Sequence, residues 1–435
     1  MQLSNIIFLL TFIIAISFFV KNLNKIISNI KLGKNVNRSD NKDIRLKNMF
    51  RVALGQSKMF DRPIAAFMHL LIYVGFVIIN IEVIEIIIDG IFGTHRFLAH
   101  IISPNLYSFL IATFEILAFL VLFSCVIFLI RRNILKIKRF FGKEMTKWPK
   151  TDANLILIFE VFLMSAFFLM NASDQILQSK NVSHYLVAGS FPISSLFIGL
   201  FDGFSVETLI LIERVSWWFH ILGILGFLNY VLISKHLHIF FAFPSTYYAN
   251  INKLGKIDNL SSVTKEVKLM LDPNADPFAN TDSSENVPTA LFGARDATDL
   301  NWVQLLNSYS CTECGRCSSV CPANQTGKLL SPRKVMMDTR DRIEDIGNNK
   351  NEGKFLLGDY ISNEELWACT TCNACTDACP INLDPMSIIV DLRRYLVMEK
   401  SSAPTELNNM FSNIENNGAP WQFPAADRLK WIEEQ

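Results

Sequence analysis

Charge is scarce in this sequence. Only 19% of its 435 residues are Asp, Glu, Lys or Arg, 50% are apolar, and the net charge is +1. That balance gives no support for a nucleic-acid partner, and none is expected. The scarcity is sharpest at residues 3–20, which carry no charge and have no basic segment before them. A cleaved secretory signal places its basic residues ahead of the apolar core. Here Lys21, Lys25, Lys31 and Lys34 follow it, so the run is expected to remain as a membrane span. The sequence also lacks a signalling domain, a nameable nucleophile and any internal repeat other than one doubled cysteine run.

The apolar residues crowd into the first 245 positions. Besides 3–20, runs at about 64–88, 106–130, 153–170 and 208–234 are each long enough to cross ~30 Å of hydrocarbon as a helix. Residues 186–200 are also apolar, but they form a short run interrupted by Gly189, Pro192 and Gly199, which suits an interfacial or re-entrant segment. Five spans result. Residues 21–62 hold eleven Lys/Arg against three Asp, and residues 131–152 hold eight against two acids, whereas 89–105 and 171–206 have one each. Positive loops stay in the cytoplasm. The N-terminus is therefore expected outside, in a cell inner membrane, with everything after Lys235 in the cytoplasm.

Eight of the nine cysteines form two copies of C-x2-C-x2-C-x3-C-P: Cys311, Cys314, Cys317, Cys321 before Pro322, and Cys369, Cys372, Cys375, Cys379 before Pro380. This is the run that wraps a [4Fe-4S] cluster, with three thiolates on a tight loop and the fourth reaching the other cluster. Cys311, Cys314, Cys317 and Cys379 are accordingly expected on one cluster, and Cys369, Cys372, Cys375 and Cys321 on the other. A disulfide framework suits a short secreted chain, and zinc prefers two separated ligand pairs, so neither fits as well. Turn chemistry at Pro244, Asp272-Pro273-Asn274 and Asp276-Pro277 marks 246–290 as a linker. A mainly helical ferredoxin domain over 291–400 follows, its last helix near 385–399, and then a polar tail, 401–435, carrying Trp421 and Trp431.

Histidine numbers seven. His69 falls in the second span and His220 in the fifth, and His236 and His238 close the fifth. If that last helix is continuous, five turns set His220 and His238 on one face about 27 Å apart and turn His236 nearly opposite. Intramembrane histidines are functional candidates, and facing imidazoles hold b-type haem in bundles. Depth pairs His69 with His238 on the inner side. His220 would anchor an outer haem, for which His95, His100 and His184 are the spare imidazoles. Glu82, Glu85, Glu115 and Glu213 sit in the outer half with Arg214, and Glu160 towards the inner half. They suit either a proton route or ion pairs between helices.

The membrane half, through His69, Trp218-Phe219-His220 and Ser234-Lys235-His236-Leu237-His238, resembles the cytochrome b subunit of membrane-bound heterodisulfide reductase and the gamma subunit of respiratory nitrate reductase. The soluble half, through Asp299-Leu300-Asn301-Trp302, Cys314-Gly315-Arg316-Cys317, Cys321-Pro322-Ala323 and Thr326-Gly327-Lys328, resembles the N-terminal ferredoxin part of the heterodisulfide reductase catalytic subunit. Two departures stand out. The gamma-type subunits hold two haems with four histidines, and the second span here lacks the histidine for the outer one. The catalytic subunit continues into Cys-Cys domains, whereas no cysteine follows Cys379. The segment from Asn413 to Trp421 resembles the stretch just before those domains, which implies a separate cytoplasmic cysteine-rich catalytic subunit.

The expected fold is all-α: a five-span transmembrane helix bundle over 1–245 followed by a two-cluster ferredoxin domain. The expected function is electron transfer between membrane quinone, haem b and two [4Fe-4S] clusters, to or from that partner. The alternative is a membrane-tethered ferredoxin without haem or quinone chemistry.

Overall fold

The computed structural model describes residues 3–274, 291–350, 352–422 and 424–433. The part of the linker at 275–290, including Asp276-Pro277, lies outside them. Helices and turns make up the described chain, and no strand occurs beyond two isolated bridges.

Five helices are long and apolar enough to cross a membrane: α1 (Leu3–Ile30), α3 (Pro63–Phe92), α4 (Pro104–Asn133), α5 (Lys147–Ser179) and α6 (Val206–Val231). A short α2 (Lys42–Met49) sits between the first two. Proline occupies the first turn of α3 and of α4, where its missing N–H costs nothing. Ser205 caps α6 by accepting from the Thr208 N–H at 3.3 Å. α5 is the central helix, packed against both α4 and α6, while large side chains such as Phe67, Ile84, Phe109 and Phe162 point outward from the bundle. An exposed apolar belt of this kind is what hydrocarbon requires. Residues 194–201 form a 3-10 turn packed on α5, so the count stays at five.

The fifth apolar run does not continue as one helix. α6 ends at Val231, a 3-10 turn covers Lys235–Leu237, and α7 (His238–Tyr247) begins afresh. The break has a tertiary cause. Asp152 of α5 accepts from the Lys235 N–H at 3.1 Å, and Ser234 Oγ accepts from the His236 N–H at 3.1 Å, so groups outside the helix ladder take these donors. The expected five-turn register between His220 and His238 is therefore lost, and His236 does not face away from His238: the two rings lie 5.4 Å apart.

The cysteine-bearing domain comprises α9 (Trp302–Ser310), α10 (Arg316–Val320), α11 (Pro322–Gln325), α12 (Pro332–Gly347), α13 (Asn363–Trp367), α14 (Ala374–Asp377) and α15 (Pro385–Arg394). The linker before it holds a further helix, α8 (Ser261–Leu271), and the tail holds α16 (Thr405–Asn417) and α17 (Lys430–Glu433). α15 ends in a wider turn at Tyr395–Glu399, close to the expected boundary.

The cysteine-bearing domain is docked on the basic end of the bundle. Ile26 and Ile30 of α1, with Leu237 and Phe241, share one core with Leu305 and Leu306 of α9, Val335 of α12 and Ile389 of α15. Lys34 and Trp302 exchange backbone contacts, with the Lys34 N–H bonded to Leu300 O at 2.7 Å and the Trp302 N–H to Lys34 O at 3.1 Å. A Cβ on Gly33 would come within 2.8 Å of the Trp302 backbone nitrogen, so only glycine permits that approach. Charge pairs were legible only as surface residues, yet they bind the halves. Arg333 of α12 reaches Glu144 of the α4–α5 loop at 2.6 Å, and both side chains are buried. Arg333→Ala leaves Glu144 unpaired there, a loss of about 3–5 kcal/mol for a broken buried pair. We expect faster hydrogen exchange in α12 and around 138–145 in that variant. Exchange unchanged from the parent would show the pair to be unimportant to docking.

Candidate functional site

The two cysteine runs fold into matching loops. Asn301 caps α9 by accepting from the Val303 and Gln304 N–H groups, and α9 delivers Cys311 at its end. Glu313 and Gly315 then take positive φ, 53° and 70°, and α10 carries Cys317. In the second run Thr371 and Asn373, at the equivalent positions, have φ of 54° and 61°, and α14 carries Cys375. Left-handed residues at these places turn successive N–H groups towards one concavity, the arrangement that cradles negative charge in many iron–sulfur sites. The Thr371 N–H already points at Cys369 Sγ, 3.4 Å away.

Cys311, Cys314, Cys317 and Cys379 line a common cavity with Cys375, closed by Met336, Ile381 and Leu383. Cys321 lies on the opposite side, where it and Cys372 act on Cys369. Each fourth cysteine is thus placed beside the other run. Among the described residues no three His, Cys, Asp or Glu side chains close tightly enough for a single metal ion. Sets of soft thiols around an apolar hollow suit a cluster with several irons. Burial pushes the thiols of Cys311 and Cys375 up to about 12, so filling these sites must release protons.

Three imidazoles meet where the bundle receives the cysteine domain. His69 of α3 and His238 at the start of α7 have ring centres 6.3 Å apart. The separation is informative. At this spacing one metal ion could be held between the two rings, with a metal–nitrogen bond of about 2 Å to each. His69 Nδ1 lies 3.1 Å from Gln56 Oε1, and His238 Nδ1 lies 3.0 Å from Lys235 O. With both Nδ1–H groups donated to these oxygens, each Nε2 keeps a lone pair for a ligand. Gln56 was not legible as a site residue. It is buried and held at φ 49°, an unusual backbone state for glutamine, between two turns that carry no sequence motif.

Both imidazoles are tied to the first cysteine loop. On one side Gln56 leads into Ser57–Asp61, whose Lys58 and Met59 carbonyls accept from Arg316 at 2.9 and 3.3 Å. Arg316 sits between Cys314 and Cys317. On the other side Lys235, whose carbonyl oxygen faces His238, places its Nζ 2.7 Å from Glu313 Oε2, and Glu313 precedes Cys314. Burial works to raise the Glu313 carboxyl, but Lys235 and Arg340 outweigh it and hold it below the usual value.

At the far end the expected carboxylates mostly anchor loops. Glu85 accepts from the Leu98 N–H at 2.9 Å, Glu115 from the Ile193 N–H at 2.8 Å, and Glu213 from Tyr185 Oη at 3.0 Å. Glu82 Oε2 has no partner among the described residues and faces a cavity of about 100 Å³. Another pair there was not expected: Arg96 and Asp174, both buried, at 2.5 Å, with His95 Nε2 3.2 Å from the same carboxylate. His220 packs against Phe167, its Nδ1 3.0 Å from Leu163 O. No second imidazole is among its ring contacts.

Residues 307–383 match the 4Fe-4S dicluster domain family. Across 99% of its length the chain is 28% identical to a probable iron-sulfur-binding oxidoreductase, FadF, of Bacillus subtilis, of which it covers 61%. It is 26% identical over 92% of its length to an EtfAB:quinone oxidoreductase of Syntrophomonas wolfei, covering 55% of that protein. A probable membrane-anchored ferredoxin of Chromohalobacter salexigens is 30% identical over 33% of this chain and 25% of its own. The chain thus spans less than two thirds of these relatives. No solved structure matches it. Its homologues are iron–sulfur-binding oxidoreductases and heterodisulfide reductase subunits C and D, and with five apolar helices ahead of a 4Fe-4S dicluster domain it fits a membrane iron–sulfur oxidoreductase subunit.

Proposed function

We propose that this chain is the membrane-anchored electron-transfer subunit of a quinone-linked oxidoreductase, with haem b held by His69 and His238 and two [4Fe-4S] clusters held by the interleaved cysteine sets. When bound, these groups supply one-electron relay chemistry between a two-electron membrane carrier and a cytoplasmic partner. The observation that carries the proposal is the double tie from the imidazole pair to one cysteine loop, through Gln56 and Arg316 and through Lys235 and Glu313.

The residues around the sites hold and orient. Gln56 and the Lys235 carbonyl fix the tautomers of His69 and His238. Arg316 sets positive charge beside thiolates that become anionic on loading. The loop charges support a cytoplasmic iron–sulfur domain, and the relative named as an EtfAB:quinone oxidoreductase supports quinone as the membrane carrier. Partner binding is assigned to the tail, where α16 buries no residue and Trp421 and Trp431 are 48% and 64% exposed. Exposed tryptophans are frequent interface anchors. The partner proposed is a separate cysteine-rich catalytic subunit.

The full chain, purified in lipid, tests this. Reduced spectra should show a b-type haem that a quinol reduces, alongside two cluster signals by electron paramagnetic resonance. Clusters without haem would instead make the chain a tethered ferredoxin. His220→Ala counts any outer haem, since a stoichiometry of one that survives this substitution limits the chain to the inner group.

A further inference from the structure

Between the basic end of the bundle and the cysteine domain lies a cavity of about 1060 Å³, large enough for a ring and part of its chain. Its wall changes character across the junction. The lip belongs to the membrane helices: Trp148 in the first turn of α5 and Ile233 just past α6. Trp148 is 51% exposed and Ile233 66%. At the end of spanning helices these positions fall at the bilayer interface, where tryptophan concentrates.

The deeper wall is polar. Asp152 accepts from Tyr230 Oη at 2.6 Å, and Lys235 Nζ donates to Pro149 O and to Glu313 at 2.7 Å each. Eight basic and seven acidic side chains line the whole cavity, so neither an anion nor a cation is selected by net charge. An apolar mouth open to the bilayer and a charge-balanced polar interior suit an uncharged ring with polar oxygens and an apolar tail. Glu313 and Gly315 bring the first cysteine loop onto the same wall, and Lys235 is also the residue whose carbonyl holds His238. The far-end cavity, about 100 Å³ among acidic and basic side chains, is too small for a ring and its tail.

We propose that the junction cavity binds the quinone headgroup, entered from the bilayer past Trp148 and Ile233, with Lys235 as hydrogen-bond donor to a ring carbonyl oxygen. This assignment rests on the quinone-linked function proposed above.

The test is photolabelling of the full chain in lipid nanodiscs with an arylazido benzoquinone bearing an isoprenoid tail, with unlabelled quinone as competitor and mapping by mass spectrometry. Saturable label is expected on the peptides containing Trp148 and Ile233. Ile233→Trp narrows the mouth at an exposed position, and it should lower that label about tenfold, about 1.4 kcal/mol in affinity, while both cluster signals persist. Label concentrated at 82–96, or unaltered by Ile233→Trp, overturns the site and leaves the quinone-linked function standing. Absence of saturable label anywhere overturns both.

Discussion

Cys379→Ser should destroy the cluster bounded by Cys311, Cys314 and Cys317 while the cluster beside its own run survives. Cys379 ends the second run, yet the motif already assigns it to the first cluster, and the fold agrees with that assignment. Cys379 lines the cavity of the first loop with Cys311, Cys314 and Cys317, and Cys321 lies beside Cys369 and Cys372. Serine keeps the shape, but its hard oxygen is a poor replacement for a thiolate on iron. The variant should lose about half of its iron and sulfide, one cluster's share. Its remaining paramagnetic signal should match that left when Cys314 is replaced, not Cys372. Cys321→Ser should give the complementary spectrum. Because Cys379 is buried in the shared core, thermal unfolding serves as a check that the chain remains folded. Loss confined to the Cys369 cluster in Cys379→Ser would refute the interleaved assignment.

Much of this was legible because two physical signals are local. Cysteine spacing on a tight loop and apolar runs of bilayer length declare themselves without tertiary structure, and so the five spans and the paired loops were read from sequence. Pro63 and Pro104 begin helices as their chemistry requires. What escaped was set by contacts distant in sequence. The run from 208 to 234 shows no break in its apolar pattern, yet the chain turns after Val231 because Asp152, about 80 residues earlier, takes the Lys235 N–H. Arg333 and Glu144 are far apart in sequence, and nothing local in either segment marks them as a pair. Gln56 carries no motif, and its role follows only from a backbone state that aims its side chain at His69. The Arg96–Asp174 pair was hidden for the same reason, since each residue alone lies at a helix end or loop.

On the proposed assignment of haem b to His69 and His238, His69→Ala should abolish haem binding at the inner site, and His238→Ala should do the same. Both imidazoles would be needed to hold the group, and with ring centres 6.3 Å apart neither residue could take over the other's role once one is cut to a methyl group. His236 is the discriminating control. Its ring is 5.4 Å from His238 and equally close to Phe227, so it could be mistaken for the ligand. The His236 ring, however, stands edge-on to His238 at 69°, whereas His69 and His238 are both held at Nδ1, by Gln56 and by the Lys235 carbonyl, as ligating imidazoles require. His236→Ala should therefore keep a full complement of haem per chain by the pyridine haemochrome assay. Gln56→Leu separates positioning from ligation: it leaves both imidazoles in place but withdraws the oxygen that holds the His69 Nδ1–H, so haem should be retained with an altered reduction potential. Retention of haem in His69→Ala, or its loss in His236→Ala with His238→Ala unaffected, would transfer the site to a different pair of imidazoles.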